Sequence, residues 1–432
     1  MLRFSTAGES HGESLVAMVS GMPAGVAVDQ EFVDRELWRR QKGYGRGGRM
    51  RIEKDTAHIL SGVRHGKTIG SPIAMVIANN DWKNWGEILP VEAGDATKHK
   101  AVASPRPGHA DLAGSLKYDF PDARYVLERA SARESAARVA AGAIAKLLLR
   151  ALGVEIASHV IRVGKAELGR AATWEEIAAL QLKEEVVLNC VDAEAEARMK
   201  AEVDAVLRTG DTVGGVFEVV VHGLPPGVGT HANWDERMDG LLAQAVMSLQ
   251  AVKAVELGRG VTAAESVGSA VHDAIGYEKQ GSGLRAQGSE QGSEQGSEQG
   301  SEQGSEQGSG LRAQGSGSSS GAVRFTGFTR EQNNAGGIEG GISNGEDVVV
   351  RGYLKPISTL RRPLGSVSFA TREPVKAAYE RSDVCVVPAA GVAAEAMVAL
   401  TVARLVVEKF GGDSLREMQR NFNGYCEQIR AY

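Results

Sequence analysis

The sequence predicts a mixed α/β protein in which helices and strands alternate along the chain. Three observations carry that expectation. Short apolar runs at Ile73–Ala78, Val186–Asn189, Val216–Val221 and Val348–Val350 read as strands. Long helix-forming stretches with start and stop signals follow Ser131 and Pro388. Glycine takes 54 of the 432 positions, so tight turns and close backbone approaches recur throughout.

From the N-terminus, the apolar segment Leu15–Val19 is followed by GMPAGV at 21–26 and a helical stretch from near Glu31. The same order recurs as Val216–Val221, GLPPGV at 223–228 and a helical stretch over Glu236–Leu257. Two readings fit: a duplicated strand-turn-helix unit 202 residues apart, or convergence on one useful Gly-Pro turn. Ser131 is placed to cap a helix while Glu134 reaches back to its amide. The alanine- and leucine-rich run that follows is strongly helix-forming and stops at Gly153. Pro388 opens a helix through Ala393–Phe410, where its missing amide costs little.

Residues 281–320 stand apart. Five GSEQ tetrads at 288–307 lie between two copies of GSGLRAQ. Such a composition buries too little apolar surface to offset its ordering entropy, so a disordered insertion is expected. The formal net charge is −5, with five Glu and two Arg in that insertion, leaving no basic footprint for nucleic acid. Cys190, Cys385 and Cys426 form no CxxC pair and read as reduced thiols. The N-terminus lacks a basic region followed by an apolar run, and Glu395 and Arg404 interrupt the apolar stretch Ala389–Val407. A cytoplasmic location, with no membrane, is the resulting expectation. Seven histidines are scattered without metal-ligand spacing, so no metal is expected.

Five clusters can carry chemistry. His11 sits in GESHGE, between Ser10 and Gly12, as a presented proton-exchanging group or as part of a polar N-terminal loop. Five basic side chains and four glycines over 39–49 suit an anion-binding loop, the plain alternative being a solvated basic surface. In Ser104–Asp111, two prolines restrain Arg106 and His109, and His109 either serves catalysis or pairs with Asp111. Arg129 and Arg133 flank Ser131 at a helix start, where a phosphate or a simple cap fits. Downstream come the glycine-rich Gly336–Gly341, the turn Lys355–Thr359, and Asp383 before the last long helix. Trp82 and Trp85 read as aromatic packing, and Cys385 as core.

Together these motifs resemble the chorismate synthase family. The matching segments are GESHG (8–12), GYGRGGRM (43–50), RPGHAD (106–111) and RASARE (129–134), followed by GGIEGGISNG (336–345), KPIST (355–359) and RSDVCVVPAAGVAAEAM (381–397). The resemblance implies a β-α-β sandwich and a homotetramer. Residues 1–280 and 321–410 would form one catalytic domain, with 411–432 as a C-terminal extension. It implies a phosphate lyase that eliminates phosphate 1,4-anti from 5-enolpyruvylshikimate 3-phosphate, requiring reduced FMN without net redox change. His11 would donate a proton to the leaving phosphate, His109 would stabilise the reduced flavin, and Asp383 would assist proton removal at it. Arg40, Arg46, Arg49, Arg106 and Arg133 would bind substrate, with Arg40 and Arg46 also linked to NADP. FMN contacts would come from Arg129, Ala130, Ser131, Gln250, Ala251, Gly340, Lys355, Pro356, Ile357, Ser358, Thr359 and Arg381. NADPH enters only as a flavin reductant, the other source of reduced flavin being an external reductase.

Overall fold

The structure, a computed structural model, describes residues 1–48, 52–94, 98–278, 325–380 and 382–432. The expectations for Arg49, Arg381 and the 281–320 insertion lie outside these residues. The chain opens with β1 (Arg3–Ala7), β2 (Ser14–Ser20), α1 (Gln30–Gln41) and β3 (His58–Ile59). The hairpin β4 (Val63–Arg64) and β5 (Lys67–Thr68) leads to β6 (Ile73–Ala78), α2 (Asp111–Tyr118), α3 (Arg124–Ala130) and α4 (Ser135–Arg150). Next come β7 (Glu155–Val163), β8 (Ala166–Glu167), α5 (Trp174–Leu180), α6 (Ala193–Thr209), β9 (Gly215–His222), α7 (Met238–Met247) and β10 (Val252–Leu257). Two short helices, α8 (Gly260–Ala264) and α9 (Gly268–Val271), precede the paired β11 (Ile275–Tyr277) and β12 (Phe328–Arg330). The chain ends with the hairpin β13 (Ile338–Glu339) and β14 (Ile342–Ser343), β15 (Val348–Leu354), the hairpin β16 (Gly365–Val367) and β17 (Pro374–Lys376), α10 (Val387–Phe410) and α11 (Leu415–Arg430).

Two antiparallel sheets dominate, ordered β1-β2-β6-β3 and β10-β15-β9-β7-β8. Helix α4 packs on the first, α10 on the second, and α4 and α10 pack on each other, with α1 and α7 alongside. Gly142 makes that helix pair close: a Cβ there would lie 2.3 Å from Ala396 Cβ and 2.4 Å from its Cα. Gly142→Val is therefore expected to overpack the crossing and cost about 1–3 kcal/mol. The urea midpoint reads this directly, and an unchanged midpoint would mean the helices separate freely.

The two Gly-Pro turns carry the same hydrogen bonds. The Thr68 hydroxyl donates to the Pro23 carbonyl at 2.6 Å and accepts from the Val26 amide at 2.9 Å. The Ser343 hydroxyl donates to the Pro225 carbonyl at 2.7 Å and accepts from the Val228 amide at 2.9 Å. The Gly25 and Gly227 amides donate to the Thr68 and Ser343 carbonyls, each at 2.8 Å. Leu15 of β2 stands opposite Ile77 of β6, and Phe217 of β9 opposite Gly352 of β15.

Three local expectations are corrected. The helix expected over Glu236–Leu257 breaks after Met247, because Ala251 adopts φ +70° and residues 252–257 pair with β15. Val186–Asn189 is loop rather than strand: Asn189 takes φ +60° and bonds across to Ser158. Ser131 caps a short 3-10 turn, accepting from the Arg133 amide, while Glu134 binds Arg138, Thr6 and Gln250 instead of reaching back. Beyond Phe410, residues 411–432 include α11, whose Met418, Phe422 and Cys426 are buried in the main core.

Helix α10 is long and apolar enough to cross a bilayer, but 83% of its most apolar window is buried inside the protein. Its one acidic residue facing the core, Glu395, is fully buried between Arg39 at 2.7 Å and Lys146, and accepts from the Ser158 hydroxyl at 2.6 Å. Glu36 completes the group, accepting from Arg39 at 2.7 Å and Lys146 at 2.6 Å. This balanced set of two cations and two carboxylates ties α1, α4, α10 and β7 together at the centre. His222 bonds Asp347 at 2.8 Å and stacks on Trp174.

Candidate active site

The loop joining β1 to β2 turns sharply at Gly8 (φ +96°), where a Cβ would strike the Ser14 carbonyl at 2.3 Å. Asn79, just past β6, donates to the Glu9 and Gly12 carbonyls at 3.1 and 2.7 Å and pins the loop from one side. From the other side α3 holds it: the Ser10 amide donates to the Glu128 carbonyl at 2.9 Å, and His11 lies against the Glu128 side chain. The His11 ring stacks on Trp85 at 4.0 Å between centroids. The Ser10 hydroxyl reaches the Ser131 hydroxyl at 3.0 Å. His11 is thereby presented on one wall of a cavity of about 450 Å³.

Arginines from distant segments line the same cavity. Arg40, in the last turn of α1, donates to the Ser135 hydroxyl at 2.9 Å and the Ala132 carbonyl at 2.8 Å. Burial, together with the neighbouring Arg133 and Arg46, pulls its pKa down to about 10 despite Asp55. Arg133 is more fully committed, donating to both Asp55 oxygens at 2.6 and 2.7 Å and to Asn79 at 2.8 Å. Arg46 pairs with Asp383 at 2.8 Å, and the Gly47 amide donates to the same carboxylate at 2.5 Å. The glycine-rich loop after α1 is itself anchored, its Gly45 carbonyl accepting from the Val384 amide at 2.8 Å.

The proline-restrained turn forms the opposite wall. Asp111 is fully buried at the start of α2 and accepts from Arg106 Nε at 2.7 Å and Nη2 at 2.9 Å. His109 Nδ1 lies 2.5 Å from the same carboxylate, so structural pairing and presentation to the cavity coexist. Burial would raise the Asp111 pKa, but hydrogen bonds from Arg106 and His109 hold it well below the usual carboxylate range. Arg106 also donates to the Thr359 hydroxyl at 3.1 Å, and Lys355 to the Gly108 carbonyl at 2.9 Å, joining this turn to the Lys355–Thr359 segment. Burial and nearby Lys253 depress the Lys355 pKa.

Among the described residues, the cavity wall carries Arg40, Arg46, Arg106, Arg133 and Lys355 against Asp81, Glu380 and Asp383. Asp111 and Glu128 lie behind the wall, each against a histidine. The outward excess of cations suits a multiply anionic ligand. A second strip is apolar, built from Leu249, Ala251 and Ile357 with Ala389, Ala390 and Ala393 of α10. A planar ring system carrying a phosphate fits that combination: alanines against its face, and Ser131, Ser358, Thr359 and Lys355 toward its anion.

Of the residues expected from sequence, His11, His109, Asp383, Arg40, Arg46, Arg106, Arg133, Ala130, Ser131, Gln250, Ala251, Lys355, Ile357, Ser358 and Thr359 line this cavity. Three do not. Arg129 turns back to the Gly8 and Thr6 carbonyls, Gly340 sits in the β13–β14 turn, and Pro356 is absent from the wall. Four contributors were not singled out as functional: Trp85, read as packing, and Asp81, Glu128 and Glu380. Only the WKNW cluster offered a sequence signal for them.

Comparison with known proteins gives a consistent picture. The family model described as chorismate synthase matches residues 2–407. The chain is similar to the chorismate synthase of Acidobacterium capsulatum, at 72% identity with 100% of both chains covered. It is similar to that of Koribacter versatilis at 64% identity, again over 100% of both. A crystal structure of a chorismate synthase matches with a TM-score of 0.72 and 36% identity, covering 100% of this chain and 99% of that one.

Proposed function

Since the chain belongs to the chorismate synthase family, we propose that its cavity binds 5-enolpyruvylshikimate 3-phosphate beside reduced FMN and carries out the elimination there. The family's reaction converts that substrate to chorismate and phosphate in aromatic amino-acid biosynthesis, and the enzyme is a flavin-dependent lyase. The observation that supports the site is convergence: Ser10–His11, Arg40, Arg46, Arg106, His109, Ser131, Lys355–Thr359 and Asp383 meet around one cavity although they span most of the sequence.

The chain's own residues divide the work. Arg40, Arg46, Arg49 and Arg106 bind the substrate's phosphate and carboxylates. Arg133 adds charge from the wall, with its guanidinium already bonded to Asp55 and Asn79. His11 gives a proton to the departing phosphate, which makes phosphate the better leaving group. Asp383, steadied by Arg46 and the Gly47 amide, helps take up the proton lost from the ring. His109, held by Asp111, would place positive charge beside a bound flavin. Ala130, Ser131, Gln250, Ala251, Lys355, Ile357, Ser358 and Thr359 would hold FMN. When bound, reduced flavin would supply transient electron density for the elimination.

The reading extends to a homotetramer, a cytoplasmic location, and NADPH or an external reductase as the source of reduced flavin, with Arg40 and Arg46 as the NADP contacts. The repeated turn bonds and matching strand register support a duplicated unit within a β-α-β sandwich. An anaerobic assay supplied with reduced FMN and 5-enolpyruvylshikimate 3-phosphate tests the reaction. Chorismate and phosphate should appear in equal amounts without stoichiometric flavin consumption. Net flavin oxidation, or binding without phosphate release, would overturn it.

A further inference from the structure

We infer that Glu128 is the positioning residue for His11: a two-armed carboxylate that fixes the imidazole with Nδ1 turned inward and Nε2 left for the ligand. The inference deepens the proposed reaction and rests on it for the proton's destination. Glu128 is 4% exposed on α3. Its Oε2 accepts from the His11 amide at 2.7 Å, and its Oε1 lies 2.8 Å from Nδ1. One side chain thus holds both the backbone and the ring of the same residue. Trp85 covers a face of the ring with planes 28° apart, so ring rotation would break both the stack and the Nδ1 contact.

The bond made by one imidazole nitrogen decides which proton the other carries. With a carboxylate on Nδ1, that nitrogen keeps its hydrogen, and Nε2 becomes the site that gains and gives a proton. A carboxylate beside an imidazole favours the ring's protonated form, so removing the charge tests the contact. Burial works against ionisation of Glu128, but His11 and Arg124 more than reverse it and hold its pKa low. Other charges around this pair come from several elements. Arg124 lies 3.5 Å from Glu128, Lys100 sits over the Trp85 ring, and Asp81 accepts from the Trp85 indole. Glu380 pairs with Arg124, and Glu9 and Glu13 flank the loop. Among the described residues Glu128 is the charged group bonded to the ring itself.

Holding the loop does not by itself account for the carboxylate's contact with the ring. The loop is already held by the Glu128 carbonyl on the Ser10 amide and by Asn79 on the Glu9 and Gly12 carbonyls. None of these contacts needs the carboxylate.

The test uses the full chain and Glu128→Gln, which keeps shape and removes charge. Imidazole ¹⁵N titration of His11 is measured without flavin, and turnover is measured anaerobically with reduced FMN. In the unaltered protein, neutral His11 should carry its hydrogen on Nδ1. In Glu128→Gln its titration should move to lower pH, and the alkaline limb of the kcat profile should move with it. The kcat should fall about tenfold or more, with KM changed far less. An identical His11 titration in both proteins overturns the inference, even if turnover falls. A neutral ring protonated on Nε2 in the unaltered protein overturns it too, whether or not the variant folds. If the unaltered protein makes no chorismate, the proposed reaction fails while the titration still decides the clamp.

Discussion

Replacing His11 by alanine is expected to lower kcat by about 10²–10⁴-fold, the range a positioned general acid contributes. The fold should survive. Glu128 would still accept from the residue-11 amide and keep Arg124 at 3.5 Å, so no buried charge is stranded. The loop keeps its Asn79 bonds and the Ser10 amide contact. The indole of Trp85 loses a stacking partner at 4.0 Å, a loss confined to that contact. Flavin and substrate affinities should therefore change much less than kcat, which separates a proton-transfer role from a binding one. Anaerobic turnover with reduced FMN, read as chorismate and phosphate together, supplies the measurement. A kcat within threefold of the unaltered enzyme would remove His11 from the chemistry.

The largest expected loss of stability follows Glu395→Ala. That change strands Arg39 and Lys146 in the core, 4% and 2% exposed, with Glu36 left to neutralise both. Breaking a buried ion pair by removing one partner costs about 3–5 kcal/mol, because the remaining charge has neither water nor counter-ion. The effect should reach the site: Arg39 precedes Arg40, whose guanidinium lines the cavity wall, so α1 loosened from α10 would release an arginine of the proposed substrate site. A double variant, Glu395→Leu with Lys146→Met, removes one charge of each sign. Its cost should be smaller than the sum of the two single changes. Urea unfolding of the four proteins tests this, and additive costs would show that the charges do not act as a unit.

The same group sets an acid limit. Burial alone would raise the Glu36 and Glu395 pKa values, but Arg39 and Lys146 hold both below the ordinary glutamate value of 4.5. A carboxylate depressed by folding contributes stability that is complete above its unfolded pKa and is lost as pH falls toward its folded one. Unfolding midpoints should therefore drop below about pH 4.5, and Glu36→Gln should flatten that drop.

Much of the site was legible because its chemistry is local. Gly8, Pro105 and Pro107 announce constrained turns, and His11, Arg106 and His109 stand inside them. The Lys355–Thr359 turn was readable for the same reason. The carboxylates behind the histidines were not. Glu128 lies 117 positions from His11 in a helix whose pattern gives no sign of a partner. Trp85 read as packing, which it is, but the ring it packs against is His11. Local signals also misled: the run through Leu257 suited a helix until Ala251 turned left-handed and β15 offered an edge to pair with.

The sequence by itself determined the mixed α/β class, the family and the ordered motifs, because each depends on residue types at short spacing. Tertiary structure alone decided which motifs share a wall, which arginines already have partners, and which carboxylates stand behind each histidine. Those facts depend on contacts between residues often more than a hundred positions apart. Such contacts form only where packed helices and paired strands bring them together, and no short-range pattern records that.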